Sequence, residues 1–160
     1  MIILGNGVFA VNGTDIALTR GGGQFTVERE YRELEADGDK GAVKGRIVLD
    51  KSVPKLTMNA LSIIPADMAK YYPGINVSSV EGTKITGKDI DDATDYQTTV
   101  TWTGKTKEGK GVVITLKNAI NLENIDWTLA DKDEVINTLT YTGCYEEGSD
   151  VEPWEITFAS

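Results

Sequence analysis

Apolar and polar residues alternate in short runs along most of the chain, the two-residue period of a strand with one buried face. In "QFTVEREYREL", Phe25, Val27 and Tyr31 fall on one face and Leu34 on the other. The segments "GRIVLDK", "KLTMNALSII", "YQTTVTWTG", "GVVITLKNA", "NIDWTLA", "VINTLTYTGCY" and "WEITF" read as further strands. Turn chemistry separates them: Asn12-Gly13, Gly21-Gly22-Gly23, Asp37-Gly38, Lys40-Gly41 and Glu108-Gly109. Residues 104–111, "GKTKEGKG", form a hairpin tip in this reading.

One segment follows a different period. In "IIPADMAKYYPGI", Pro65 suits a first helical position, Asp67 the first turn and Lys70 the last, and Pro73-Gly74 stops the run. The spacing of Ile64, Met68 and Tyr71 or Tyr72 predicts a short helix over 65–72. Such a helix is too short to stand alone and must dock on a sheet. The 160 residues contain no internal repeat, low-complexity tract or linker, so one domain over 1–160 and a mainly β fold are expected.

Composition narrows the picture. The chain is 40% hydrophobic and 26% charged, the usage of an ordinary soluble globular protein, and a domain of this length buries roughly 68–70% of its unfolded surface. A single cysteine, Cys144, excludes an internal disulfide. The start, "MIILGNGVFAVNGTD", lacks a basic n-region and a long apolar run. Synthesis in the cytoplasm without a signal peptide or membrane span is therefore expected.

The net charge of −9 argues against a nucleic-acid binder, whose footprint is basic. The charge is also segregated. Residues 28–39 carry six acids and two bases, residues 40–55 five bases and one acid, and residues 123–155 ten acids and one base. If 25–35 and 44–53 pair as an antiparallel hairpin, acid faces base across the ladder, at roughly 0.2–1 kcal/mol per pair. The plain reading is a solvated hairpin. The sharper one is a long projecting hairpin whose polar end meets another copy of the chain.

Familiar chemical signatures fail on inspection. "GNGVFA" follows an apolar run, but a dinucleotide fold needs a helix next and "VNGTDIAL" carries an Asn-Gly turn instead. "GKT" at 104–106 lacks the leading glycine of a phosphate loop. "DGDKG" and "DIDDATD" resemble calcium loops, yet their twelfth positions are Val48 and Val100, so both read as turns. The chain has no histidine, which removes Ser-His-Asp and Cys-His catalysis and the commonest zinc ligand. Cys144 sits among acids, which disfavour a thiolate, and reads as a small hydrophobe. Trp102, Trp127 and Trp154 alternate within expected strands, which suits core packing ahead of a sugar-stacking platform. No catalytic residue, cofactor or metal is expected.

The order of several motifs resembles a known family. "GGGQFTVEREYRELEADGDKGAVKG" is similar to the N-terminal signature of major tail tube proteins of long, non-contractile-tailed (siphovirus-type) phages. The matching residues are Gly22, Gly23, Phe25, Glu30, Tyr31, Arg32, Asp37, Gly38, Gly41, Val43, Lys44 and Gly45. "VPKLTMNALSIIPADMAKYYPGI" resembles the family's strand and short helix, and "NIDWTLADKDEVINTLTYTGCYEEGSDVEPWEITF" its closing strands. The first twenty residues match least.

The resemblance implies a two-sheet β-sandwich or flattened barrel with one short flanking α-helix. It also implies an N-terminal arm over 1–24, a long charged hairpin over 25–53 and a C-terminal strand over 146–160. The implied function is structural: hexameric rings stack head to tail into a hollow tube. That tube encloses the tape measure protein, joins tail terminator and distal tail proteins, and conducts DNA without specific binding. The implied location is the virion tail, assembled in the bacterial host cytoplasm. On this reading Glu33, Glu35, Asp37, Asp39, Lys40, Lys44 and Arg46 belong to the ring-to-ring contact. An acidic bore repels DNA, which makes Glu123, Asp126, Asp131, Asp133 and Glu134 candidates for its lining. The competing expectation is a monomeric β-sandwich carbohydrate-binding module that uses an exposed tryptophan.

Overall fold

The computed structural model describes residues 1–16, 18–80 and 82–160; Ala17, within the expected N-terminal arm, lies outside the described residues. In chain order the strands are β1 (Ile3–Val11), β2 (Thr14–Asp15), β3 (Thr19–Glu33), β4 (Ile47–Ala60), β5 (Ile75–Ser78), β6 (Lys84–Gly87), β7 (Gln97–Thr106), β8 (Gly111–Asn121), β9 (Asn137–Gly143) and β10 (Trp154–Phe158). The fold is mainly β and antiparallel, with one short helix. Eight strands form a large sheet in the order β2-β1-β7-β8-β9-β4-β3, with β10 also on β8; β5 and β6 make a separate ribbon.

Strand β8 joins two layers. One of its edges pairs with β7. Its other edge is divided, with Val112–Leu116 facing β10 and Ala119–Asn121 facing β9. The division falls at Asn118, whose φ of 48° interrupts the extended backbone. Residues 144–153 make an excursion there and return to the same edge. Cys144 N–H donates to Asn118 O at 3.1 Å, and Lys117 N–H to Pro153 O at 2.8 Å. Strands β2, β1, β7 and β10 thus extend one layer, and β9, β4 and β3 the other.

The core lies between the layers, where alternation puts it. Phe9, Val11, Val100, Trp102, Val112 and Leu116 meet Leu56, Met58, Leu139 and Tyr141. At one margin Phe25 of β3 stands 6.0 Å, ring centre to ring centre, from Trp154 of β10. The Trp102 indole lies across the cross-strand pair Gly7 and Gly104, and a Cβ at either position would collide with the ring. These glycines are spaces for an indole.

The helical segment is tighter than its sequence suggests. Pro65–Asp67 form a 3-10 turn and only Met68–Tyr71, α1, are α-helical. Burial of Met68, Tyr71 and Tyr72 docks it on the sheet. The Tyr141 hydroxyl donates to Lys70 O at 2.9 Å, and Asn121 Nδ2 to Tyr71 O at 2.8 Å. These bonds satisfy two carbonyls of the short helix that have no partner within it.

Three expectations are corrected. Much of 1–24 is not a free arm: β1 lies between β2 and β7 and buries Phe9 and Val11. Glycines at 5 and 7 hide its alternation in the sequence. The separate strands expected within 45–51 and 55–64 merge into one, Ile47–Ala60, because Pro54 faces Val27 without ending the ladder. "NIDWTLA" is not a strand: 122–136 has no regular structure among the described residues. Its alternation is real, but the edge of β8 that it would need is already taken by β9 and β10.

Candidate functional site

The first candidate surface is an arm. Strands β3 and β4 pair over nearly their whole length, but the sandwich covers only part of the ladder. Beyond Arg29 and Ser52 the two strands run on with both faces in solvent. Directly opposite residues of an antiparallel pair share a face. Tyr31 opposite Leu49 and Glu33 opposite Ile47 therefore make one face, and Arg32 opposite Val48 belongs to the other. Tyr31, Ile47 and Leu49 are 61%, 53% and 41% exposed. These are large apolar side chains on a ribbon with no second layer.

The charge pattern is more local than acid against base. Glu30 does face Lys51, and Lys55 Nζ comes within 4.0 Å of Glu28. A bulge at Asp50 shifts the register by one residue, and Arg32 then pairs with Asp50 at 3.1 Å, the signs reversed. At the base of the arm Arg29 bonds Glu152 at 2.8 Å and lies 5.7 Å from the centre of the Trp154 ring. This ties the arm's root to β10.

The tip, 34–46, holds most of the residues assigned to the ring-to-ring contact. Asp39 accepts from the Ala36 amide at 2.8 Å and pairs with Arg46 at 3.0 Å, so both Asp39 and Arg46 stabilise the turn itself. Glu33, Glu35, Asp37, Lys40 and Lys44 are exposed and form no ion pair among the described residues.

The second surface lies past the other end of β4. Glu123, Asp126, Asp131, Asp133 and Glu134 all sit on the irregular segment 122–136 and are exposed. Glu134 pairs with Arg20 at 3.0 Å; the other four form no ion pair among the described residues. The same segment carries Trp127 and Leu129, which are 43% and 80% exposed. Together with Leu61, Ile63, Met68 and Ile85 they wall an open, mostly apolar pocket of about 520 Å³. Asn137 lines it, is 5% exposed, and has no hydrogen-bond partner for its side-chain oxygen among the described residues. A buried carboxamide atom without a partner costs roughly 1–3 kcal/mol, so its presence here demands an explanation. The sequence separates the pocket's walls by some sixty residues and gives no sign that they meet.

Elsewhere most polar groups are spent on structure, although Ser52 Oγ and Trp154 Nε1 are also buried without a partner among the described residues. Asp95 is buried and accepts from the amides of Gly74 and Asp91 at 3.0 and 2.8 Å, and Asp91 accepts from Ala93 at 2.9 Å. The "DIDDATD" carboxylates thus hold turns. Burial pushes the Tyr141 phenol far above its ordinary value and raises Tyr71, Tyr72 and the half-buried Cys144 thiol as well. Cys144 is therefore a poor nucleophile. Among the described residues no group of three or more Cys, Asp or Glu side chains is arranged to hold a metal ion, and no helix is long and apolar enough to cross a membrane. No protein-family model matches the chain, and no curated protein sequence matches it.

Proposed function

We propose that this chain is a structural subunit that polymerises with copies of itself, in the manner of the phage tail tube proteins its sequence resembles. Hexameric rings would stack head to tail into a hollow tube of the virion tail. The tube would enclose a tape measure protein, end on terminator and distal tail proteins, and pass DNA without gripping it. One observation carries the reading: a two-stranded arm projects from the sandwich with large apolar side chains exposed on a ribbon that nothing covers. An isolated two-stranded ribbon is marginal in water, and an exposed apolar edge invites association. The acidic net charge of −9 suits a conduit and handicaps a DNA binder.

Negative-stain microscopy of the concentrated protein tests the reading. Rings or hollow tubes are expected; particles that stay single and featureless at every concentration overturn it. A second reading, a monomeric carbohydrate-binding module, is favoured by the exposed Trp127 beside an open pocket. It requires tryptophan fluorescence to change on adding oligosaccharides to a monodisperse monomer.

A further inference from the structure

Of the chain's asparagines, only Asn6 and Asn12 precede a glycine. Asparagine is chemically labile in this setting, because no side chain shields the following amide nitrogen from the carboxamide carbon. One of the two lies within β1 and the other just past its end, and the fold treats them oppositely.

Asn12 is held by three bonds. Its backbone N–H donates to Thr99 O at 2.8 Å, its Nδ2 donates to Gln97 Oε1 at 2.7 Å, and its Oδ1 accepts from the Thr99 amide at 3.1 Å. Gln97 is itself buried. A carboxamide bonded through both its oxygen and its nitrogen is not free to turn toward the Gly13 amide. Asn6 is exposed, and its side chain makes no hydrogen bond among the described residues. It sits where the pairing of β1 with β7 shifts register, between Leu4 and Gly7.

The Gly7 amide is free as well. Residues of an antiparallel strand bond toward one neighbour and the other in alternation. Asn12 bonds toward β7, so Ala10 and Val8 do the same, while Val11, Phe9 and Gly7 bond outward. Outward of Val11 stands β2, and Phe9 O accepts from the Ile16 amide at 2.8 Å. Outward of Gly7 no strand pairs with β1 among the described residues. Asn6 and Gly7 also line an open hollow beside Thr103 and Lys105, which water can enter.

We infer that Asn6 is a site of spontaneous deamidation in the folded chain, and that the fold protects Asn12. The Gly7 nitrogen bonds to Asn6 Cγ and gives up its proton, and the side-chain nitrogen leaves as ammonia, closing a succinimide ring. Water then opens the ring at either carbonyl. The products are aspartate and isoaspartate, the second with an extra carbon in the main chain. That carbon falls where the register is already irregular, so the ladder on either side survives. Either product adds a negative charge to an unpaired sheet edge, where charge discourages another strand from joining. The inference is independent of the self-assembly reading.

The test incubates the full chain, kept dilute, at mildly alkaline pH, both folded and in urea. Trypsin releases residues 1–20 as one peptide, since Arg20 is the first basic residue, and fragmentation in the mass spectrometer separates Asn6 from Asn12. In the folded chain Asn6 should convert at least tenfold faster than Asn12. In urea the two rates should come within about threefold of each other, because the structure that distinguishes them is gone. An isoaspartate-specific methyltransferase should label this peptide from the folded parent but not from Asn6→Gln. Folded chains in which Asn6 converts no faster than Asn12 overturn the inference. So does a preference for Asn6 that persists undiminished in urea, or a label on the peptide that survives Asn6→Gln.

Discussion

At the residue scale, the fit of Trp102 over Gly7 and Gly104 is the most demanding detail of the core. A methyl group at Gly104 would meet the indole, and overpacking of this kind costs about 1–3 kcal/mol. Gly104→Ala should lower the urea midpoint accordingly without changing the slope of the transition. Gly5→Ala, with nothing within 4 Å of the added carbon, should be nearly neutral. Alternation in "TVTWTG" is enough to place Trp102 indoors, but nothing in the sequence pairs Gly7 with Gly104 across ninety-odd residues. That pairing is why β1 is hard to read as a strand.

Tyr141 gives a pH dependence. Its phenol titrates near 10 when unfolded and is held well above that in the fold by burial, with the neighbouring Tyr71 and Tyr72 adding to the effect. The folded state therefore holds this proton more tightly than the unfolded chain. The contribution is complete below about pH 10 and declines as pH rises beyond it, because only the unfolded chain then releases the proton. Urea midpoints at rising alkaline pH should fall less steeply in Tyr141→Phe than in the parent. Below pH 10 the variant should lose about 1 kcal/mol, for the bond to Lys70 O, at every pH.

At the element scale, the arm is held by its own turn. Asp39 ties the Ala36 amide to Arg46, and Arg46 N–H donates to Val43 O at 3.1 Å. Asp39→Ala should speed amide hydrogen exchange across 36–46. Global stability should shift by less than about 1 kcal/mol, because an exposed pair outside the core contributes little to it. The existence of this hairpin was legible in the segregation of acid from base. Its charge partners were not, because the bulge at Asp50 slides the register and gives Arg32 an acid on the returning strand. Segment 122–136 shows the converse. Ile125, Trp127 and Leu129 alternate as a strand would, yet a strand exists only where an edge is free to accept it.

At the scale of the whole molecule, strong acidity and two end-facing surfaces set the behaviour in solution. Duplex DNA should not be retarded by this protein in a gel-shift assay at 0.15 M salt, since the Debye length there, about 8 Å, leaves near-field repulsion intact. A shifted band would contradict the conduit reading. Polymerisation carried by charges at the arm tip should become less favourable as salt rises from about 0.05 to 1 M, because exposed pairs are screened. The sandwich itself was legible because two-residue alternation forces two faces and one core. The pocket was not, because it arises only where the end of β4, the short helix, Ile85 and the loop before β9 converge.

The excursion over 144–153 runs from the end of β9 to the start of β10, and both its ends bond neighbouring residues of β8, so its two feet are fixed side by side while its crown, at Gly148, is exposed. Length added there changes closure entropy by only about 0.6 kcal/mol per doubling. A short epitope grafted between Gly148 and Ser149 should leave the fold intact and be readable by antibody. Repeated along a polymer, that graft would become a regularly spaced display.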